Sequence, residues 1–383
     1  MKTLLVTLDF PPIIGGISTV FYNIWKHLSR QEHLILAPMA EGDAAWDRGF
    51  GTNMRRLFLP VGDSTGRKAA CLGLLLAYSL WVVPKERVRY LVCGQPMVPG
   101  IVGVFFKRLF RVPFQVWVYG GEVIKFRHNR FLFGLLKLVL KEADTVVVNS
   151  AFTFGVFADL GVPREKLREI TPAVDTGMFR PGLATDDLVE RYGLAGKKVI
   201  LTVARLSERK GHDMVLRALA ASRDRLPDCR LLIVGTGPDE KRLGGLVSKL
   251  GIQDMVVFCG YISHRDLPRY YNLCDVHVMP NREVAGPDTI EGFGLSFIEA
   301  SACEKPVIGG RSGGAFEAVE NGVTGFLVDP MNVEELSDKI VLLLTDQAKA
   351  REMGIQGRKR ALRQFQWEGR ARIVEELLQS GKR

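Results

Sequence analysis

Along the 383-residue chain, short apolar runs alternate with longer segments in which apolar residues recur every three or four positions. Short apolar runs are typical of buried strands, and the longer spacing is typical of helices that pack on a sheet. Their alternation predicts βαβ units and parallel sheets, hence an α/β fold. The predicted strands are Thr3–Leu8, Leu34–Ala37, Arg56–Leu59, Tyr90–Cys93, Gln115–Tyr119, Thr145–Asn149, Val199–Val203, Arg230–Val234, Val256–Cys259, Val276–Met279, Pro306–Gly309 and Gly325–Val328.

The chain is too long for one ordinary hydrophobic core, so two doubly wound, Rossmann-like domains of similar size are expected. The pattern breaks near residues 171–177, which contain Pro172 and Gly177. The predicted domains are residues 1–172 and residues 173–364, and the chain ends in a helical segment at residues 365–383. Ligands of open α/β sheets bind beyond the carboxyl ends of the strands. Residues directly after predicted strands are therefore the candidates for a site.

The most informative motif is Glu291-Gly292-Phe293-Gly294, between a strand-like run that ends at Pro280 and a helical run that starts near Leu295. A helix N-terminus favours an anion such as a phosphate group. Glu299, eight residues after Glu291, falls on nearly the same face of that helix as its start. Two carboxylates beside a phosphate site can accept hydrogen bonds from sugar hydroxyls. The motif therefore predicts a nucleotide-sugar site.

Two further motifs accompany this one. Arg205 and Lys210 follow a predicted strand, and fixed positive charge suits the diphosphate that leaves during sugar transfer. Gly235 and Gly237 form a glycine turn after the next strand. Neither motif is specific alone, since solvated cations and glycine turns are common after strands. Their order and spacing beside Glu291 favour a functional role.

Together these motifs closely resemble the large family of retaining glycosyltransferases with the GT-B fold (glycosyltransferase family 4-like), which includes sucrose synthase and bacterial polysaccharide, lipopolysaccharide and mannosyl transferases. The resemblance is densest over residues 199–329, including Gly313-Gly314-x-x-Glu317, and extends more weakly to Pro11-Pro12-x-x-Gly15-Gly16. It implies two Rossmann-like domains that face an interdomain cleft. It also implies that the last helix, at residues 365–383, packs back on the N-terminal, acceptor-side domain.

The resemblance assigns roles to individual residues. Glu291 would contact the donor sugar, Glu299 the ribose, and Arg205 and Lys210 the diphosphate, with Glu291, Arg205 and Lys210 as the catalytic residues. The remaining candidates for substrate binding are Gly15, Gly16, Tyr119, Glu122, Gly235, Gly237, Tyr261, Ile262, Phe293, Gly294, Leu295 and Ser296. Among these, Tyr261 and Ile262 lie where relatives read the nucleotide base, mostly through backbone groups.

Tyr119 is where the sequence departs from the family. Many relatives have a histidine here that reaches the donor sugar. A phenol can also hydrogen-bond a hydroxyl, but it does not titrate near neutral pH. Glu122, three residues on, could contact the acceptor. Alternatively, it is an acid at a helix N-terminus that the helix dipole stabilises.

The expected chemistry requires neither metal nor cofactor. No Asp-x-Asp signature follows a predicted strand, and the six histidines form no cluster with metal spacing. Cationic side chains and helix N-termini would then stabilise the leaving group. The resemblance implies retention of anomeric configuration by front-face displacement, in which the departing phosphate oxygen takes the acceptor's proton.

The expected donor is a UDP-sugar of the glucose type, in preference to GDP-mannose. The expected acceptor is a hydroxyl of a saccharide or lipid-linked acceptor in polysaccharide, glycolipid or lipopolysaccharide assembly. A catalytically weak scaffold that binds sugar nucleotides remains open, as does a 2-epimerase or phosphorylase-like enzyme of the same fold. An NAD-dependent dehydrogenase is disfavoured, because Gly15-Gly16 does not belong to a Gly-x-Gly-x-x-Gly motif. The oligomeric state is open, with a monomer preferred.

The net charge of +10 is concentrated in the first half, where residues 1–175 carry 22 Lys and Arg against 14 Asp and Glu. Residues 101–141 mix eight cations and seven phenylalanines with one acid, Glu122. This patch predicts contact with an anionic membrane surface; the alternative is that the phenylalanines fill the core. No motif for nucleic-acid binding accompanies it.

Ala69–Val83 is the most apolar run, and its fifteen residues are fewer than the roughly 20 that span a membrane. The expectation is a buried helix. The N-terminus lacks the features of a signal peptide, and the six scattered cysteines suggest a reducing compartment. The predicted location is therefore cytoplasmic, with peripheral contact to the inner face of the membrane.

Overall fold

The computed structural model describes residues 2–13, 15–29, 31–50, 53–60, 62, 64–284 and 291–380. Two parallel β-sheets, with helices between successive strands, confirm the predicted fold class. The strands are β1 (Thr3–Val6), β2 (His33–Pro38), β3 (Asn53–Leu57), β4 (Tyr90–Cys93), β5 (Phe114–Val118), β6 (Thr145–Val148), β7 (Leu167–Glu169), β8 (Lys198–Val203), β9 (Cys229–Val234), β10 (Val256–Gly260), β11 (Val276–Met279), β12 (Val307–Gly310) and β13 (Gly325–Val328).

Helices of widely different length connect these strands. They are α1 (Gly16–His27), α2 (Asp43–Phe50), α3 (Thr65–Lys85), α4 (Val98–Phe110), α5 (Gly121–Phe126), α6 (Arg130–Glu142), α7 (Ala151–Asp159), α8 (Asp186–Tyr192), α9 (His212–Ala221), α10 (Glu240–Leu250), α11 (Leu267–Leu273), α12 (Leu295–Ala302), α13 (Ala315–Ala318), α14 (Val333–Thr345), α15 (Gln347–Gln364) and α16 (Trp367–Ser380).

The first compact unit comprises residues 1–172 and 367–383. Its sheet, over the described residues, has the strand order β3-β2-β1-β4-β5-β6-β7, with every pair parallel. Apolar residues of the central strands, such as Leu4 and Leu91, are fully buried against α3, α4 and α6. The last helix, α16, packs against α1 on this unit.

The second compact unit comprises residues 173–366, and its described strands have the order β10-β9-β8-β11-β12-β13, again all parallel. Ile200 and Leu231 lie in its core. Phe365 and Gln366 belong to this unit, because the Phe365 carbonyl accepts a hydrogen bond from Val174 N–H and its ring packs on Phe293. The final helix accordingly begins at Trp367, two residues later than predicted.

The strand predictions are wrong for both edge strands of the first sheet, β3 and β7. The strand expected at Arg56–Leu59 lies at Asn53–Leu57, and its start was missed because its first residues are mostly polar and partly exposed, so they form no apolar run. The strand β7 was not predicted at all. It has three residues, of which only Leu167 is buried, so it carries no apolar run that a pattern could reveal.

The expectation of a buried helix at Ala69–Val83 is wrong. The helix α3 is 21 residues long, and only one face is buried, through Cys71, Leu75, Ser79, Val82 and Val83. Among the described residues it is the helix whose length and hydropathy would permit a membrane span. Only 28% of its most apolar stretch is buried inside the protein. The other face of α3 is apolar and exposed.

The patch at residues 101–141 divides between core and surface. Phe106, Phe114 and Phe126 are buried, whereas Phe110 and Phe131 are exposed. Two of its cations are also engaged in ion pairs: Lys107 lies 2.6 Å from Asp144, and Arg108 lies 2.7 Å from Glu142. Membrane contact through this patch stays a prediction. Because acids neutralise two of its cations, the patch carries less positive charge than the sequence of residues 101–141 suggests.

Candidate functional site

The candidate residues of the second unit gather at the carboxyl edge of its sheet. Since all its strands are parallel, the segments that follow β8, β9, β10, β11 and β12 emerge at one edge. Backbone hydrogen bonds join these segments. Leu206 N–H donates to the Thr236 carbonyl at 3.0 Å, and Gly235 N–H to the Gly260 carbonyl at 2.8 Å. The sequence motif at residues 280–299 contributes the segment after β11, although residues 285–290 lie outside the described part.

Glu291 is the centre of a cationic cluster. Its Oε2 accepts a hydrogen bond from Lys210 Nζ and another, of 2.7 Å, from Arg209 Nη1. All three side chains are mostly buried. Burial alone would raise the pKa of Glu291, but the charges and hydrogen bonds of Lys210 and Arg209 outweigh it and hold the pKa below its ordinary value. The carboxylate is therefore ionised and already paired with two cations.

Arg209 is a further candidate site residue, which the sequence did not indicate. The predicted pair was Arg205 and Lys210, but over the described residues Arg209 and Lys210 are the cations that contact Glu291. Arg205 is exposed, two residues after the end of β8. The only signal for Arg209 is its place next to Lys210, in a short 3-10 turn at Glu208–Lys210 that directs both side chains.

The turn that carries these cations is fixed by the segment after β11. Gly211 ends the turn with φ of 72°, and a Cβ atom there would lie 2.2 Å from the Pro280 carbonyl oxygen. Only glycine fits such a close approach at positive φ. The N–H of Arg282 donates to the Arg209 carbonyl at 2.8 Å, and its side chain pairs with Asp213 in α9. Neither Asp213 nor Arg282 was singled out from the sequence.

The backbone of Glu291 is also held from the next loop. The N–H of Gly314 donates to the Glu291 carbonyl at 2.8 Å. Gly313 and Gly314 follow β12, within a motif that resembles the family's. A Cβ atom at Gly314 would lie 2.2 Å from the Gly292 carbonyl oxygen, so the two loops meet backbone to backbone.

Glu299 lies in the second turn of α12 and contacts a different partner. Its Oε2 accepts a hydrogen bond of 2.8 Å from the hydroxyl of Tyr271 in α11. Burial raises the pKa of Glu299, despite the opposing effects of His264 and of the Tyr271 hydrogen bond. The two glutamates of the motif thus have pKa values shifted in opposite directions, because Lys210 and Arg209 outweigh burial at Glu291, whereas burial outweighs the opposing effects at Glu299.

The residues between the two glutamates form the start of α12. Gly294 precedes the helix with φ of 94°, and Leu295 is its first residue. The Ser296 hydroxyl lies 3.7 Å from Met279 Sδ, and the buried Phe293 ring packs edge-on against Phe365. Leu295, at the start of this helix, is partly exposed.

The glycine turn after β9 has a packing reason of its own. Gly235 has φ of 132°, and a Cβ atom there would lie 2.0 Å from the Ala204 carbonyl oxygen. A Cβ atom at Gly237 would lie 2.3 Å from the Leu206 carbonyl oxygen. The turn therefore abuts the segment that carries Arg205. After β10, Tyr261 is 54% exposed and Ile262 is half-buried.

In the first unit, the predicted residues also follow strands. Gly15 and Gly16 are exposed at the start of α1. The Tyr119 hydroxyl donates to the Gly94 carbonyl at 3.0 Å, and both Glu122 carboxylate oxygens accept from Tyr119 N–H at 3.1 Å. The Tyr119 hydroxyl is thus engaged with the backbone, and burial raises the pKa of Glu122.

Asp9 lies close to these residues and was missed from the sequence. Gln95 Nε2 donates to its Oδ2 at 2.8 Å, and burial raises its pKa. Asp9 directly follows the first predicted strand, but it belongs to no motif with a recognisable spacing, so the sequence did not single it out. In the described part of the chain, no group of three or more His, Cys, Asp or Glu side chains is placed to hold a metal ion.

Three comparisons bear on the family of the chain. The family model described as "Glycosyl transferases group 1" matches residues 186–360. A GDP-mannose-dependent alpha-(1-6)-phosphatidylinositol monomannoside mannosyltransferase of Mycolicibacterium smegmatis is 34% identical, over 99% of this chain and 98% of that protein. The protein of the same description from Mycobacterium tuberculosis H37Rv is 36% identical, over 98% of each chain.

Two solved structures are similar over almost the whole chain. Anabaena HepE, solved with UDP and glucose, has a TM-score of 0.83 and 22% identity, covering 99% of this chain and 100% of its own. Sucrose-phosphate synthase from Thermosynechococcus elongatus has a TM-score of 0.82 and 23% identity, covering 99% of each chain. At this identity the likeness shows the fold alone, which is GT-B.

Proposed function

Because this chain belongs to the group 1 glycosyltransferases, we propose that it transfers mannose from GDP-mannose to a hydroxyl of a lipid-linked saccharide. Family membership sets aside the dehydrogenase and the non-catalytic scaffold. The relatives that match along their full length, at 34% and 36% identity, are described as GDP-mannose-dependent mannosyltransferases with a glycolipid acceptor. That full-length identity supports the choice of donor and acceptor class.

This proposal replaces the UDP-glucose donor expected from the sequence. The UDP-bound neighbour is 22% identical and supports only the fold. We place the donor base after β10, beside Tyr261 and Ile262, where backbone groups would read it, so side-chain identity gives little basis for choosing between UDP and GDP. The full-length mannosyltransferase relatives conflict with the UDP-glucose expectation and carry more weight.

The observation that carries the proposal is the cluster of Lys210, Arg209 and Glu291 at the carboxyl edge. A nucleoside diphosphate brings two or more negative charges, which need fixed cations. In the structure Lys210 and Arg209 both donate hydrogen bonds to the Glu291 carboxylate, which fixes the positions of the two cations. We assign the diphosphate to Lys210 with the exposed Arg205, and hydroxyls of the sugar to the Glu291 carboxylate.

We assign the ribose to Glu299. A carboxylate can accept hydrogen bonds from two neighbouring hydroxyls. Its Oε2 is held by Tyr271, which fixes the orientation of the group and leaves its other oxygen to be tested as an acceptor. Ionisation of this buried glutamate would be favoured by bound hydroxyl donors, because hydrogen bonds to the charged form lower a carboxyl pKa.

We propose retention without a metal ion. The leaving diphosphate would be stabilised by the cations and by the N-terminus of α12. In a front-face displacement, the C1–O bond to the diphosphate breaks, the acceptor oxygen attacks from the same face, and the departing phosphate oxygen takes the acceptor's proton. The protein's contribution is then orientation and charge stabilisation.

We place acceptor binding in the first unit. Gly15 and Gly16 are exposed at the start of α1, and Asp9 and Glu122 provide carboxyl groups near Tyr119. Because the Tyr119 hydroxyl is engaged with Gly94, we do not give it the donor-contacting role of the family's histidine.

The six cysteines are free thiols, which supports a reducing, cytoplasmic location.

The test is transfer by the purified protein with GDP-mannose or UDP-glucose as donor and phosphatidylinositol monomannoside as acceptor. Product formation with GDP-mannose, at a kcat/KM at least tenfold above UDP-glucose, is expected. The anomeric configuration of the product, read by NMR, tests retention. Efficient transfer from UDP-glucose, with none from GDP-mannose, would overturn the donor assignment.

A matched pair of variants separates site effects from surface charge effects. Lys210→Ala removes a cation at Glu291, whereas Lys197→Ala removes a cation that pairs with the exposed Asp228. Only the first variant should lose activity. Equal activities of the two variants would contradict the assignment of the cluster to the donor.

A further inference from the structure

The outer face of α3 is unusual for a surface helix of a folded domain. From Ala69 to Pro84 the sequence contains no charged residue. Leu74, Leu80 and Trp81 are exposed by 47%, 42% and 49%, on the face opposite the buried residues. A helix at the surface normally presents polar residues to water. This apolar face therefore indicates an environment other than water.

The exposed face extends onto the neighbouring edge strand. Phe58, directly after β3, is 82% exposed. Together with five other residues it lines an open groove of about 530 Å³: Leu57, Leu74, Ala77, Tyr78 and Trp81. A continuous apolar surface with aromatic residues marks an interaction site.

Cations lie at both ends of this face. Arg67 and Lys68 are in the first turn of α3, and Lys85 and Arg87 are at its end, with the Lys85 ammonium 4.1 Å from the Trp81 ring centre. The acid between the last two, Glu86, is already paired with Lys2 and Arg55. Both ends of the face are therefore positively charged.

We propose that the outer face of α3, with Phe58, lies on an anionic lipid bilayer. Trp81, Leu80, Leu74 and Phe58 would enter the boundary between headgroups and acyl chains, and the cations at both ends would contact anionic headgroups. Amphipathic helices bind membranes by this combination of buried apolar area and basic residues. The long lysine and arginine side chains can reach the headgroups from the ends of the helix.

The charges argue against a second copy of the chain as the occupant. A two-fold axis that pairs two α3 faces would bring cationic ends together, whether the helices run parallel or antiparallel. Like charges at an interface oppose association. An anionic surface, in contrast, complements both ends at once.

This surface differs from the patch at residues 101–141, where Lys107 and Arg108 are held in ion pairs with Asp144 and Glu142. It is also independent of the donor and acceptor proposed above. Vesicle binding can therefore fail while mannosyl transfer to a soluble acceptor succeeds. Vesicle binding can likewise succeed while mannosyl transfer fails.

The experiment is binding to vesicles of phosphatidylcholine with or without phosphatidylglycerol. Binding should require phosphatidylglycerol and weaken in high salt. Acyl chains carrying bromine should quench part of the tryptophan fluorescence, and that part should disappear in Trp81→Phe. The double variant Phe58→Ser/Trp81→Gln should bind at least about tenfold more weakly, because two large apolar side chains leave the lipid.

The matched control is Leu109→Gln/Phe110→Gln, which removes two exposed apolar residues of α4 from the other patch. It should keep more vesicle binding than the Phe58/Trp81 variant, and all variants should keep the far-UV spectrum and activity on a short soluble acceptor. Absence of vesicle binding by wild type, or binding lost in the control and kept in the Phe58/Trp81 variant, would overturn the proposal. So would a concentration-dependent dimer that the Phe58/Trp81 variant abolishes.

Discussion

The Arg282 guanidinium and the Asp213 carboxylate form a two-point ion pair, with Nη1 3.0 Å from Oδ1 and Nη2 3.1 Å from Oδ2. The side chains are only 8% and 11% exposed. Asp213 stands in the first turn of α9, directly after the turn that carries Arg209 and Lys210. The backbone of Arg282 bonds to Arg209 itself. The pair therefore helps to fix the turn that carries the two cations.

We expect Arg282→Gln to lower both stability and turnover. Removing one partner of a buried ion pair typically costs about 3–5 kcal/mol, because the other charge remains buried. The double variant Arg282→Met/Asp213→Leu should recover most of the unfolding free energy, since an apolar pair of similar volume removes the stranded charge. Turnover should stay at least about fivefold below that of wild type, because the turn at Glu208–Lys210 is no longer held by the Arg282–Asp213 ion pair.

Denaturant unfolding and initial rates measure these two effects separately. Arg225→Gln is the control, since Arg225 pairs with Asp338 where both side chains are more than half exposed, and it should change neither. Full recovery of turnover together with stability in the double variant would show that the pair only stabilises the fold.

The cations at Glu291 give a second expectation. Glu291→Gln and Lys210→Ala should each lower kcat by about 10²–10³-fold, the usual loss when one preorganised contact to developing charge is removed. Arg209→Ala should also lower kcat, because Arg209 shares the Glu291 carboxylate. Steady-state kinetics at saturating donor measure this. Activity of Lys210→Ala within twofold of wild type would contradict the assignment.

The two glutamates should respond oppositely to pH. The lowered pKa of Glu291 means that its stabilisation is present above its ordinary value of 4.5 and is lost as the pH falls through the lowered pKa. The raised pKa of Glu299 means that stability is lost as the pH rises from 4.5 through the raised value. At pH 7, Glu291→Gln should therefore lower the Tm, and Glu299→Gln should raise it.

Thermal unfolding at pH 4, 5.5 and 7 tests this pair of expectations. Each 1 kcal/mol corresponds to about 2–4 °C for a domain of this size. Glu299→Gln should nevertheless bind nucleotide more weakly, since it loses the ionised acceptor for ribose. Tm shifts of the same sign for the two variants at pH 7 would refute the electrostatic account.

Transfer should not depend on a divalent cation. The sequence lacks an Asp-x-Asp motif, and we assign the charge of the leaving diphosphate to cationic side chains and a helix N-terminus. Rates in excess EDTA should equal those in its absence. Loss of activity that Mg²⁺ or Mn²⁺ restores would reverse this assignment.

The sequence predicted most strands because fully buried parallel strands are continuous apolar runs, as at Tyr90–Cys93 and Val276–Met279. It failed at β7, where a short edge strand has one buried residue. It also misjudged α3, because an apolar run does not reveal whether both faces of a helix are covered.

For the candidate site, the sequence predicted Glu291, Lys210 and Glu299, since each stands at a fixed distance from a strand end or helix start. It did not find Arg209, Arg282 or Asp213. Their roles depend on which side chains a turn directs toward one another across loops distant in sequence. The opposite pKa shifts of Glu291 and Glu299 were equally hidden, because they depend on whether cations reach a buried carboxyl group.

The helix α16 has a consequence for the order in which the protein is made. The first unit contains residues 1–172 but is completed by Trp367, Val374 and Leu378, which are buried there. A ribosome adds about 5–20 residues per second, so this unit must wait roughly ten seconds or more, while the intervening residues are synthesised, for its last helix. The second unit is continuous in sequence and can fold during that interval. Until α16 emerges, the α1 face that it covers is open to chaperones and to other nascent chains.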